Sequence, residues 1–324
     1  MQHSTKTIPE VSVCIPTYCR YPLLVRALNS VLRQDFKSME ILISDNASPD
    51  ASWLKTEQLH NLDDRIVIRR NESNLGWIGN INHCIKIARG EFIVFLCDDD
   101  ELLPGMIELT SKFLKVYSTV GFVHTAADVV SATGRRGCTS SSTRATILSA
   151  GLEALTETAL SFQIAFSSVM VRKSCFERLG YFMNNISSDY EMWSRISVHY
   201  DVGYINRPLV RVYQHVISPA MTVERYQSES ERLGEYILSY FPDEFRDLPS
   251  LKRKLQYQLA NGMLSLGAQA CIVGDWKRGR AFFSAAHRSS KTHWWRRYVK
   301  ALLYALYGRA ESLIRNKDAY ETHV

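Results

Sequence analysis

The opening hundred residues alternate short apolar runs with stretches in which apolar residues return every three or four positions. Val11-Ser12-Val13-Cys14-Ile15 is the first run, stopped at Pro16, and Leu24, Ala27, Leu28, Val31 and Leu32 then share one helical face. Glu40-Ile41-Leu42-Ile43 predicts a second strand, ending in Ser44-Asp45-Asn46-Ala47-Ser48. Arg65-Ile66-Val67-Ile68 predicts a third, followed by the turn Asn74-Leu75-Gly76 and a helix carrying Ile78, Ile81, Ile85 and Ala88. Phe92-Ile93-Val94-Phe95-Leu96, entered from Gly90, is apolar without alternation, as expected of a strand covered on both faces. Strand, helix, strand in this rhythm predicts a doubly wound parallel sheet.

Further on, the pattern predicts a helix from Gly105 to Val116 and a strand at Gly121-Phe122-Val123-His124. An aperiodic loop should run from Ser131 to Arg144, then a helix from Ser149 to Ala159 and a strand from Gln163 to Arg172. Ser187-Ser188-Asp189 precedes a helical pattern, and Val202–Asn206 and Leu209–Tyr213 read as two short strands around Pro208. From Thr222 the signal is helical, with helices expected over Glu224–Tyr240, Lys252–Val273, Trp276–His287 and Trp294–Ile314. The expected organisation is an α/β domain over 1–221 and an appended helical domain over 222–324.

Composition changes this picture little. At 46% hydrophobic and 22% charged, the 324 residues are those of an ordinary globular chain, and a net charge of +6 favours anionic partners. The seven cysteines form no Cys-x-x-Cys pair and read as reduced thiols of a cytoplasmic protein, not as a zinc site or disulfide framework. Met1 to Glu10 lacks the apolar core of a signal peptide, and no run has the length needed to span a bilayer.

Candidate chemistry concentrates where the Phe92 strand ends, in Cys97-Asp98-Asp99-Asp100. Ligands of open α/β sheets bind beyond the carboxyl ends of strands, and packed carboxylates repel unless a cation lies among them. Oxygen ligands of this kind suit Mg²⁺ or Mn²⁺; the plainer alternative is an acidic turn. Tyr18 offers a ring face to a nucleobase, or packs on the domain edge. Asp45 can accept a hydrogen bond from a base edge, or cap its own turn. Asp189 is placed as a helix cap. No Gly-x-x-x-x-Gly-Lys-Ser/Thr or Gly-x-Gly-x-x-Gly loop is present, so phosphate-cradle readings lose support.

Pro16-Thr17-Tyr18-x-Arg20, Ser44-Asp45-Asn46-Ala47-Ser48, Asn74-Leu75-Gly76 with Asn82, Gly90-Glu91-Phe92, and Asp98-Asp99-Asp100 before Pro104 stand in one order. Together they resemble the nucleotide-binding half of family 2 glycosyltransferases of the GT-A fold, over roughly Val11 to Ser218. The resemblance implies a doubly wound mixed sheet and inverting transfer of a sugar from a nucleoside diphosphate to a carbohydrate hydroxyl. By position it implies that Asp45 reads the base and that Thr17, Tyr18 and Arg20 touch the nucleotide. Pro16, Asn74, Gly76, Asn82 and Trp193 join them as substrate contacts. Asp99 falls at the metal-ligand position, Asp98 at ribose or metal, and His215 is a third candidate for metal or diphosphate. Asp189 falls at the catalytic base. Cys97 departs from the pattern, standing where many relatives carry an aspartate.

No Gln-x-x-Arg-Trp motif follows Asp189, which points to single-sugar transfer over polymerisation. Trp294, Trp295, Arg296, Arg297, Tyr298 and Lys300 mix aromatic and basic residues as an interfacial helix does. That predicts peripheral contact through 291–317 with the inner face of the cytoplasmic membrane and a lipid-linked saccharide acceptor. Family analogy adds bacterial surface polysaccharide (O-antigen or capsule) assembly. A catalytically silent nucleotide-sugar scaffold is the rival reading, and nucleic-acid binding is not expected.

Overall fold

The computed structural model describes residues 8–306 except 132, 133, 135, 140–146, 162, 163, 186, 215–220, 247 and 292. They fall into two compact units. One is formed by the chain up to Val129 with Gly137–Asn184 and Ser188–Tyr213, and the other by the chain from Gln214 with 130–136 and 185–187.

The first unit is built on a mixed sheet. Its strands are β1 (Val11–Thr17), β2 (Met39–Asp45), β3 (Ile66–Arg70), β4 (Phe92–Phe95), β5 (Glu101–Leu102), β6 (Val120–Val130), β7 (Arg136–Cys138), β8 (Ile147–Leu148), β9 (Val169–Arg172) and β10 (Asp201–Tyr213). The order is β3-β2-β1-β4-β9-β6-β10-β5, with β7 paired to β6 and β8 to β10. β3, β2, β1 and β4 run parallel, while β9 is antiparallel to both β4 and β6.

Strand alternation divides the core. Val13, Ile15, Ile41, Ile43 and Val94 pack with Leu24, Ala27, Leu28 and Val31 of the helix Tyr21–Leu32. Cys14, Leu42, Ile93 and Phe95 face the other way, onto Ile78, Ile81 and Ile85 of the helix Gly76–Ile87. Both faces are covered, which is why these strands read as apolar throughout. Gly90 is required where the chain passes β1, because a Cβ there would lie 2.5 Å from the Ser12 nitrogen.

Two expectations change in detail. Val202–Asn206 and Leu209–Tyr213 form one strand, β10. Pro208 falls between the pairing of Val202 with β8 and that of Val210 with β5. The stretch expected as a strand from Gln163 is a strand only over Val169–Arg172, preceded by a short 3-10 turn at Phe166–Ser168.

In the second unit, helices span Val223–Ser239, Pro249–Ile272, Trp276–Ser289 and 294–306. Thr222 and Asp275 cap the first and third by accepting from the Arg225 and Arg278 amides. Gly267 and Gly279 let two of these helices approach closely, since a Cβ on Gly279 would overlap the Cys271 sulfur. Among the described residues no helix is long and apolar enough to cross a membrane.

Candidate active site

The carboxyl ends of β1 and β4 lie side by side and set the site. Thr17 closes β1, and its hydroxyl donates to Asp98 Oδ2 at 2.8 Å. Arg20, in the loop after β1, donates from Nη1 to Asp98 Oδ1 at 2.9 Å and pairs through Nη2 with Asp99 Oδ2 at 2.8 Å. Asp98 is 2% exposed. Burial raises its carboxyl, opposed by the Arg20 charge and the Thr17 hydrogen bond. Asp100 points elsewhere: Ser167 Oγ donates to its Oδ2 at 2.6 Å and the Tyr213 amide to its Oδ1 at 3.1 Å. Burial pushes Asp100 up to about 6.

A cavity of about 330 Å³ opens beside these acids, lined by Pro16, Thr17, Tyr18, Arg20, Asn46, Asn74, Gly76, Trp77, Asn80 and Asp98. Its floor is an amide network. Asn46 donates to Asn74 Oδ1 at 2.9 Å and accepts from Asn71 Nδ2 and the Leu75 amide, while Ser44 and Asn71 donate to Asn80 Oδ1. Asp45 lies behind this floor and is fully buried. Its oxygens accept from the Ser48 hydroxyl at 2.5 Å and the Ser48 amide at 3.0 Å, with Arg70 Nε at 3.5 Å.

Cys97 Sγ and carboxylate oxygens of Asp99 and Asp100 all lie within 4.8 Å of one another. Ligands across a single ion stand about 4–5 Å apart for bonds of about 2.0–2.5 Å, so one divalent cation fits this donor set. Asp98, expected to share the metal, is not in the group; Thr17 and Arg20 hold both of its oxygens.

Asp189 lies in the first turn of the helix Ser188–His199, half-buried. Burial pushes its carboxyl up to about 6, against hydrogen bonds from the amides of Tyr190 and Asp189 itself. That helix packs through Trp193, whose ring lies 5.2 Å from Phe122, 5.7 Å from Phe182 and 6.4 Å from Phe166. Phe166 adjoins Ser167, the residue that holds Asp100, so one short turn ties the acidic strand end to the helix of Asp189. Arg195, paired with Glu191 at 2.7 Å, donates to the carbonyls of Leu179 and Tyr181 and fixes the same helix.

The structure thus gathers Pro16, Thr17, Tyr18, Arg20, Asn74, Gly76 and Asp98 around one cavity. The cavity lining does not include Asp45, Asp189, Asn82 or Trp193. Asn82 donates to the Phe182 carbonyl and accepts from the Phe182 amide, bracing that segment. Trp193, expected at substrate, is 1% exposed inside an aromatic cluster. His215 lies outside the described residues. Sequence reasoning missed Trp77, although its place off the buried stripe of Ile78, Ile81 and Ile85 was visible. It also missed Asn80 and the bond from Ser167 to Asp100.

A sheet of this order with an acidic tip beside such a cavity defines a GT-A type domain. The profile described as glycosyl transferase family 2 matches residues 12–179, more than half of the chain, and the chain belongs to that family. A Campylobacter jejuni protein named GalNAc(5)-diNAcBac-PP-undecaprenol beta-1,3-glucosyltransferase is 43% identical over 101 residues, 31% of this chain and 33% of that one. The Escherichia coli UDP-Glc:alpha-D-GlcNAc-diphosphoundecaprenol beta-1,3-glucosyltransferase WfgD is 31% identical over 121 residues, 37% of this chain and 46% of that one. The chain thus matches a third to a half of these relatives' length. Staphylococcus aureus TarS 1-349 in complex with UDP-GlcNAc superposes with a TM-score of 0.62 at 17% identity, covering 95% of this chain and 92% of that one. Mannosyltransferase PcManGT from Pyrobaculum calidifontis, in complex with GDP-Man and Mn2+, gives 0.54 at 16% identity, covering 94% and 88%. These two likenesses concern the fold.

Proposed function

We propose that the protein is a metal-dependent, inverting glycosyltransferase that moves one sugar from a nucleoside diphosphate to a hydroxyl of a lipid-linked saccharide. The reading is carried by one observation: the cavity beside β1 and β4 is lined by Thr17, Arg20 and Asp98, with the Cys97, Asp99 and Asp100 donor set adjoining. Tyr18 and the Asn46, Asn74 and Asn80 floor take the nucleoside, Asp45 fixes the turn at Ser48, and Asp98 takes the ribose. Arg20 offers its half-exposed guanidinium to the diphosphate. Asp99 and Asp100 would hold Mg²⁺ or Mn²⁺ through carboxylate oxygens, with the Cys97 thiol beside them, and the ion would neutralise charge developing on the departing diphosphate.

Asp189 is the base. As the acceptor oxygen bonds to the anomeric carbon and the bond from that carbon to phosphate oxygen breaks, the hydroxyl proton passes to the Asp189 carboxylate. A carboxyl near 6 is ionised at neutral pH yet basic enough to take that proton. Inversion follows from a single displacement, with no covalent intermediate on the chain.

The lipid-linked acceptor draws on the two relatives named for undecaprenol-linked substrates, and a role in bacterial surface polysaccharide assembly on family analogy. A surface helix supports peripheral membrane contact. Over 294–306, Trp295 is 70% exposed and Leu303 61%, beside exposed Arg296 and Lys300, while Trp294, Tyr298 and Ala305 pack inward. Flotation with anionic vesicles at low salt tests this part: binding is expected, and none would remove it. For the reaction, the product's anomeric configuration by NMR after incubation with UDP-sugar and Mn²⁺ is decisive. An inverted glycoside supports the proposal, and retention would overturn it.

A further inference from the structure

Trp77 breaks the pattern of its helix. Ile78, Ile81 and Ile85 are buried, whereas Trp77 is 48% exposed and turned into the cavity wall. Its backbone is fixed all the same: Gly76 takes φ +72°, and Asn74 Oδ1 accepts from the Gly76 amide at 2.8 Å and from Asn46 at 2.9 Å. A large, half-exposed ring on a fixed turn at a cavity wall suits stacking.

The cavity has two distinguishable ends. At one, Tyr18 adjoins Cys19, whose amide donates to Ser48 Oγ at 2.9 Å, and Ser48 is itself bonded to Asp45. At the other, the Trp77 ring lies 6.0 Å from Phe166. Phe166 adjoins Ser167, which holds Asp100, and also meets Trp193, one helical turn from Asp189. Trp77 therefore stands at the wall that Phe166 and Ser167 join to Asp100.

We infer that Trp77 is the platform for the transferred sugar: a pyranose lays one face of C–H bonds against the indole, and residue 77 selects the hexose. Sugars with an uninterrupted C–H face stack, and those with an axial hydroxyl on that face do not. This inference rests on the donor reading proposed above.

The test compares a nucleoside diphosphate with its hexose conjugate on the full chain in Mn²⁺. UDP, GDP and dTDP are titrated by calorimetry beside UDP-glucose, GDP-mannose and dTDP-glucose, and the pair that binds the wild type most tightly is carried to the variants. Trp77→Ala should weaken the conjugate about three- to tenfold while leaving the bare diphosphate within about twofold, and Trp77→Phe should recover most of the loss. An equal loss for the bare diphosphate would put the ring on the nucleoside and overturn the inference. An Ala variant that melts with wild-type cooperativity and binds both ligands as before would also overturn it. If the wild type binds none of the diphosphates, the donor reading itself falls and takes the inference with it.

Discussion

Asp98 and Asp99 at the tip of β4 and Asp189 at the start of the helix Ser188–His199 have different partners. Asp98 and Asp99 share the Arg20 guanidinium, and Asp98 also accepts from Thr17. Asp189 is joined by no ion pair among the described residues, and only amides of its own turn bond it. Acids paired with a cation and a hydroxyl are held in place, suited to binding. An acid that burial alone has pushed up to about 6 changes charge readily, suited to moving a proton.

The sharpest way to break this contrast is to remove the base without touching the strand end. Asp189→Asn should cut transfer by about 10²–10⁴-fold while donor binding, read by calorimetry, stays within about twofold. Loss of binding in step with rate would erase the distinction between the two regions. Asp99→Asn should do the reverse, weakening Mn²⁺-dependent donor binding by about 10–100-fold, seen as a lost thermal shift with nucleoside diphosphate. Arg20→Ala leaves Asp98 buried with one fewer partner and should cost about 1–2 kcal/mol in denaturant unfolding, tempered by the 40% exposure of Arg20. The smallest effect concerns stability alone. Asp189 has its folded pKa raised, so the neutral form favours folding and stability falls as pH rises from about 4 through about 6. Asp189→Asn should therefore melt a few degrees above the wild type at pH 8 and close to it at pH 4.

Much of the site was legible because the sheet imposes a period of two and β1, β2 and β4 each end in a loop of marked composition. The apolar runs gave β1, β2 and β4, and Asp45 and Asp98 marked the ends of β2 and β4, while β1 runs one residue past Pro16, to Thr17. The resemblance to the family rested on these same loops. Pairing across the chain was not legible. Arg20 and Asp98 stand 78 positions apart, and their bond depends on β1 lying beside β4. Asn82 and Trp193 read as substrate contacts because a motif shows residue type but not direction. Asn82 turns to the Phe182 backbone and Trp193 to the core. Pro208 suggested a break, yet a single strand runs through it.

The most direct measurement of the central claim is the pH dependence of transfer at saturating donor and Mn²⁺, wild type beside Asp189→Asn. The wild-type rate should fall about tenfold per pH unit below a midpoint near 6 and level off above it, and the variant's residual rate should lack that limb. The same limb surviving in the variant would assign the proton to another group and contradict the account.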